Sequence, residues 1–146
     1  MTTIITHSDG DGICCASLIK MIPMYKDATV FFSHPMGLNH DFEHHIQKEN
    51  LIICDIAIDD RSYEKICGKL NKYINDGYSV LYIDHHIHPG PLPDKVETLI
   101  DNKFCATELT YRHFFKFLPF EAKRIALIGA INDYMDDTPL MRELIY

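Results

Sequence analysis

The sequence contains no apolar run approaching the roughly 20 residues that span a bilayer, and stretches such as Leu51 to Cys54 end at an aspartate. No basic segment followed by an apolar one opens the chain, so neither a membrane anchor nor an export signal is expected. Basic residues are scarce: 14 Lys and Arg stand against 21 Asp and Glu, a formal charge of −7. That balance argues against a surface that grips nucleic acid through a broad basic footprint, but not against an enzyme that takes a short oligonucleotide. The five cysteines, at 14, 15, 54, 67 and 105, include no C-x-x-C pair. Their odd number and spacing disfavour a disulfide framework or a zinc ribbon and suggest a reducing, cytoplasmic compartment. Repeats, low-complexity segments and linkers are also missing. What is present is ordinary for one globular domain: 146 residues, 47% hydrophobic and 24% charged. A chain of that size buries roughly 68–70% of its unfolded surface and needs no disulfide or structural metal merely to fold.

The hydrophobic pattern alternates between strand and helix. Thr2 to Thr6 reads as a strand, Gly10-Asp-Gly12 as a turn, and Ile13 to Ile22 as a helix that Pro23 ends. Further strands are expected at about Ala28 to Ser33, Leu51 to Cys54, Ser79 to Ile83 and Val96 to Ile100. An amphipathic helix is expected over Ser62 to Asp76, with Tyr63, Ile66, Leu70, Tyr73 and Ile74 on one face and Gly77 as its stop. Two more, Ala106 to Phe117 and Glu121 to Asn132, are separated by Pro119. Strands that are apolar throughout, alternating with helices, indicate a parallel sheet covered on both faces, a three-layer α/β domain.

Three of these strand runs end in the same kind of chemistry. Ile4-Ile5-Thr6 gives way to His7-Ser-Asp9-Gly-Asp11, Ile52-Ile53-Cys54 to Asp55, and Leu81-Tyr82-Ile83 to Asp84-His85-His86. The carboxyl ends of parallel strands form one edge of the sheet, where ligands bind, so these acids should converge. Convergent carboxylates repel one another unless a cation lies between them, and carboxylate mixed with imidazole suits Mn²⁺ better than an all-oxygen calcium site or a thiolate zinc site. Asp9 and Asp11 can serve neighbouring ions and Asp55 can bridge them. A pair of ions about 3.5–4 Å apart is the arrangement used to hydrolyse phosphate esters. Two divalent cations would bring the charge from −7 to −3, so part of the acidity belongs to the site itself.

In that order, His7-Ser-Asp9-Gly-Asp11-Gly12, Asp55, Asp84-His85-His86 and Asp133 in Gly129-Ala-Ile-Asn-Asp133 resemble the four motifs of the DHH phosphoesterase superfamily. That group includes RecJ-type exonucleases, oligoribonucleases, cyclic-dinucleotide phosphodiesterases and family II inorganic pyrophosphatases. Each motif alone is weak, but four in register over about 130 residues are specific. Ala106 to Tyr111 also resembles the start of the family's helix after the fifth strand.

The resemblance implies strand order 2-1-3-4-5 and a hydrolase using two Mn²⁺, with Mg²⁺ as a substitute. It implies Asp9 at the first metal, Asp11 with His85 and Asp133 at the second, and Asp55 between them. Asp84 would orient the histidines and His86 would face the substrate phosphate. His7 lies two residues before Asp9, where the pyrophosphatase and oligoribonuclease branches place their histidine four before, so it is either a ligand on a shortened loop or a structural residue. Family members usually carry a second domain that clamps the substrate. Asp133 lies thirteen residues before Tyr146, so residues 1–146 are expected to be the catalytic half, with substrate contacts from a longer parent, a partner subunit or a homodimer mate. The substrate class implied is a nucleotide or short oligonucleotide. The alternatives are a non-catalytic metal- or nucleotide-binding subunit and an inorganic pyrophosphatase.

Other features have plainer readings. His34, His40, His44 and His45 are expected on a solvated loop and helix start, the alternative being that His44 and His45 reach a metal as an adjacent pair; His88 is expected in a turn, the alternative being contact with substrate; and Cys14 and Cys15 are expected as small buried residues rather than nucleophiles. Phe114, Phe115, Phe117 and Phe120 are expected in the core or on a docking surface for the second domain.

Overall fold

The β-branched runs of the sequence become the inner strands of one sheet because both of their faces are covered. A computed structural model describes residues 1–145. Strands β1 (Thr2–His7), β2 (Thr29–Ser33), β3 (Asn50–Cys54), β4 (Val80–Asp84) and β5 (Glu97–Ile100) are all parallel, in the order β2-β1-β3-β4-β5. Ile4 pairs with Ile52 and Ile52 with Leu81, so β1, β3 and β4 finish together at one edge. The expected α/β class and strand order are therefore observed.

Successive residues of each strand feed opposite layers. Ile5, Ile53 and Tyr82 pack with Leu38 and Phe42 of α2 (Leu38–His44) and Ile66 and Leu70 of α3 (Tyr63–Asn75). Ile4, Ile52, Leu81 and Ile83 face Cys15 and Ile19 of α1 (Gly10–Lys20) and Phe114 of α4 (Ala106–Phe114). Outside that second layer, Leu18 and Tyr111 meet Ala126 and Ala130 of α5 (Ala122–Asn132) and Met141 of α6 (Pro139–Ile145).

Several local expectations need correction. Gly10, Asp11 and Gly12 do not form a separate turn: α1 begins at Gly10, because Asp9 caps it by accepting a hydrogen bond from the Gly12 amide at 2.9 Å. A Cβ on Gly12 would collide with the His7 carbonyl, and one on Gly129 with the Thr107 side chain. These two glycines let α1 close on β1 and α5 close on α4. The helix expected to run to Phe117 stops at Phe114 and tightens into one 3₁₀ turn, Phe115–Phe117. Phe114 is core, but Phe115, Phe117 and Phe120 are exposed. The short α6, with Pro in its first turn, follows the fourth motif where no helix was expected. No helix among the described residues is long and apolar enough to cross a membrane.

Candidate metal centre

Asp55 follows the last residue of β3 in the left-handed region, at φ 57°, and Tyr134, next to Asp133, does the same at φ 55°. Such backbone costs about 1–2 kcal/mol in a residue other than glycine, and tends to cluster at functional sites. The bend at Asp55, fixed by its amide donating to the Ile83 carbonyl at 2.9 Å, accompanies a carboxylate buried at the sheet edge.

Around it the strand-end residues converge as expected. His85 Nε2 lies 3.2 Å from Asp55 Oδ1, 3.3 Å from Asp133 Oδ2 and 3.6 Å from Asp11 Oδ2. His7 Nδ1 lies 3.1 Å from Asp9 Oδ2. Two sets of potential ligand atoms, one from His7, Asp9 and Asp55 and the other from Asp11, His85 and Asp133, each fall within 4.8 Å of one another. The atoms that should be satisfied if this were a structural polar core are not. Asp55 Oδ2 and His85 Nε2 are buried and lack a hydrogen-bond partner, a costly state for a native protein unless something else belongs there. Their chemistry, carboxylate oxygen and imidazole nitrogen, fits divalent ions of the Mn²⁺ and Mg²⁺ kind.

The aspartates divide into two kinds. Asp11, 1% exposed, is held by the N-terminus of α4: Oδ2 accepts from the Ala106 amide at 3.0 Å and Oδ1 from the Thr107 amide at 2.8 Å. The Thr107 hydroxyl donates to the same carboxylate at 2.5 Å. Asp84, fully buried, accepts from His86 Nδ1 and His88 Nε2, both at 2.7 Å. Burial alone would raise its pKa, but those bonds and the histidine charges outweigh it and bring it down to about 2. Asp55 has no comparable support. Burial first, then the carboxylates of Asp11, Asp9 and Asp84, push it up to about 10. Asp133 is raised by burial and by Asp11, against the pull of His85.

His86 stands at the open side of the group, its side chain 42% accessible. The Asp84 hydrogen bond raises its pKa against the opposing effect of burial, so it presents a cationic or proton-donating Nε2 face. Beside it opens a cleft of about 650 Å³ whose lining includes His88, Pro91, Asp101 and Asn102. His88, expected as a turn residue, is instead buried against the Tyr82 ring and shares Asp84 with His86. No local pattern in the sequence marks Thr107 and Glu108 as supports of the site. Glu108 is fully buried and joins Arg112, at 2.9 and 2.7 Å, to the Thr138 hydroxyl at 2.8 Å, tying α4 to the chain that follows Asp133. Cys14 and Cys15 are buried with raised thiol pKa, burial being the main cause in each. Neither is an activated nucleophile.

Fold and site together define a doubly wound α/β domain with a carboxylate and imidazole cluster at the carboxyl ends of its inner strands. The chain belongs to the DHH family: residues 1–133 match the family described as "DHH family, N-terminal domain". It is 29% identical over 93 residues to oligoribonuclease NrnB of Bacillus subtilis, covering 59% of this chain and 22% of that protein. The fold is similar to exonuclease RecJ bound to manganese, with a TM-score of 0.65 at 18% identity, covering 99% of this chain and 41% of the other. RecJ of Thermus thermophilus in complex with Mn²⁺ gives 0.64 at 18% identity, covering 99% and 23%. CDC45 of Entamoeba histolytica gives 0.64 at 15%, covering 93% and 30%. The chain thus spans about a fifth of the curated relative and less than half of these structures.

Proposed function

We propose that this chain is the catalytic domain of a divalent-metal-dependent phosphoesterase that hydrolyses a phosphoester of a nucleotide or short oligonucleotide. The observation that carries this reading is the buried, unpartnered pair of Asp55 Oδ2 and His85 Nε2, surrounded by carboxylates. A nonpolar or fully bonded cluster would serve a structural role better. The likeness to an oligoribonuclease over 93 residues supports the substrate class, and the manganese-bound RecJ structures of similar fold support Mn²⁺ as the working ion. Five buried or half-buried cysteines, all free, favour a reducing compartment, the cytoplasm.

His7 and Asp9 would hold one ion, Asp11, His85 and Asp133 a second, and Asp55 would touch both. When bound, the ions supply Lewis acidity to the phosphoryl group and make water a nucleophile near neutral pH. The protein does the rest. Thr107 and the first amides of α4 fix Asp11, the strained backbone at Asp55 fixes its carboxylate, and the buried Asp84 accepts from His86 Nδ1 and favours the imidazolium, in which Nε2 also carries a proton. From that position the exposed His86 can donate a hydrogen bond or proton to a phosphoryl oxygen as negative charge develops. No Lys or Arg stands in any of the four motifs, so we assign the remaining grip on the substrate to a further domain, a partner subunit or a second copy.

The test is steady-state hydrolysis of a dinucleotide and of pyrophosphate with Mn²⁺ titrated. The dinucleotide should be cleaved in preference. Preference for pyrophosphate would move the chain to a different substrate class.

A further inference from the structure

A second group of imidazoles lies away from the strand-end site, on α2. His40 and His44 are four apart on this helix and His45 caps its C-terminus. The rings of His40 and His44 are 4.4 Å apart and those of His40 and His45 5.5 Å. His40, Asp41 and His45 each offer one ligand atom, and the three atoms fall within 4.8 Å of one another. Asp41 is aimed by its neighbour on β2: the Ser33 hydroxyl donates to Oδ2 at 2.6 Å, leaving Oδ1 toward His40 Nδ1 at 3.8 Å. His45 in turn stacks against Phe31 of β2 at 6.1 Å.

We propose that these residues form a second metal site, for Zn²⁺ or a similar late first-row ion, with His40, Asp41 and His45 as ligands and His44 or water in the fourth position. Spacing of four, with the His45 amide donating to the Asp41 carbonyl at 2.9 Å, puts Asp41 and His45 on one face, where carboxylate and imidazole can share an ion. A ligating carboxylate held by a hydrogen bond from outside the ligand set is a recurring feature of built metal sites, and Ser33 supplies that bond. The donor set decides the metal. Imidazole suits Zn²⁺, Ni²⁺ and Cu²⁺, whereas the strand-end site, richer in carboxylate, suits Mn²⁺ and Mg²⁺. A bound ion would join the last turn of α2 to the sheet edge through His45 and Phe31.

Zn²⁺ is titrated into the full chain in the presence of excess Mn²⁺, using the parent, the pair H40A/H45A and Asp55→Asn. Zn²⁺ can also displace Mn²⁺ at the strand-end site, so the reading is the difference between variants: the parent should take up one more Zn²⁺ than H40A/H45A, and Asp55→Asn should keep the uptake that H40A/H45A lacks. In H40A/H45A the affinity of that extra uptake should weaken by about tenfold or more. The same Zn²⁺ stoichiometry and affinity in H40A/H45A as in the parent, or loss of the extra uptake only in Asp55→Asn, would overturn the assignment. Ring ¹⁵N resonances of the unmodified chain give an independent reading: Zn²⁺ should shift those of His40 and His45, and no shift there contradicts the site even if the variant folds poorly.

Discussion

Two clusters of histidine and aspartate stand on this domain, and their surroundings separate them more than their composition does. At the carboxyl edge of β1, β3 and β4, the buried Asp11 and Asp55, which follow β1 and β3, and the half-buried Asp133 at the end of α5 surround one imidazole, with strained backbone at Asp55 and with Asp55 Oδ2 and His85 Nε2 lacking partners. On α2 the side chains of His40 and His44 are largely in solvent and come from one short helix. The first arrangement costs stability in the metal-free protein and persists only if a ligand or a reaction requires it. The second costs almost nothing, since water satisfies each ring. Burial is therefore the better guide to catalysis here, and donor identity the better guide to which metal each cluster prefers.

The strand-end cluster should be the one on which activity depends. Asp55→Asn should lower phosphoester hydrolysis by about a thousandfold or more, while H40A/H45A leaves turnover with Mn²⁺ unchanged. Comparable losses in both variants would erase the distinction between the clusters. A smaller effect is expected at His86, which stands beside the proposed ions rather than among their ligands. His86→Ala should reduce kcat by about a hundredfold with Mn²⁺ affinity nearly intact, measured by steady-state kinetics and calorimetry on the same preparation. A fall in Mn²⁺ affinity equal to the fall in kcat would instead make His86 a ligand.

Within the buried cluster the two kinds of aspartate should part in stability. Asp11→Ala removes the acceptor for two amides at the start of α4 and should cost about 1–2 kcal/mol in the metal-free chain. Asp55→Asn relieves repulsion and should leave the melting temperature equal or higher. Chemical denaturation of the two variants compares them directly, and a large destabilisation by Asp55→Asn would make that residue structural.

A further difference within the buried cluster concerns pH. Asp55, raised to about 10 in the fold, holds its proton more tightly than in the unfolded chain, where a carboxyl titrates near 3.9. Its contribution to stability is complete below that value and is lost as pH rises toward 10. Asp84, lowered to about 2, acts in the opposite sense: its contribution is present above about 3.9 and is lost as pH falls toward 2. The metal-free parent should therefore lose stability on the alkaline side through Asp55, and Asp55→Asn should flatten that limb without altering the acid limb. Melting curves across pH test both limbs.

The sequence made the sheet legible because Ile4-Ile5, Ile52-Ile53 and Leu81-Tyr82-Ile83 are continuous apolar runs, each closed by an acid. It made the strand-end group legible for the same reason, since parallel strands deliver whatever follows them to one edge. What supports that group was hidden. The hydrogen bonds from Thr107 to Asp11 and from Thr138 to Glu108 join residues 96 and 30 positions apart, and no periodicity reports such pairs. His88 looked like part of a Pro-Gly turn because its partner, Asp84, is buried only once β4 is inside the sheet. The helix start at Gly10 is masked because two glycines suggest a turn, whereas the Asp9 cap and the closeness of β1 favour a helical first turn. The α2 helix, only seven residues long, carries too short a pattern to be read against a run of histidines.

Titration of Mn²⁺ into the metal-free chain at neutral pH, with heat and proton release recorded together, tests the central claim most directly. Two ions should bind, and because burial and the neighbouring carboxylates raise the pKa of Asp55, proton release from its carboxyl should accompany them. In Asp55→Asn the proton release and the affinity should both fall. Absence of saturable Mn²⁺ binding, or a titration that is the same in parent and variant, would contradict the account.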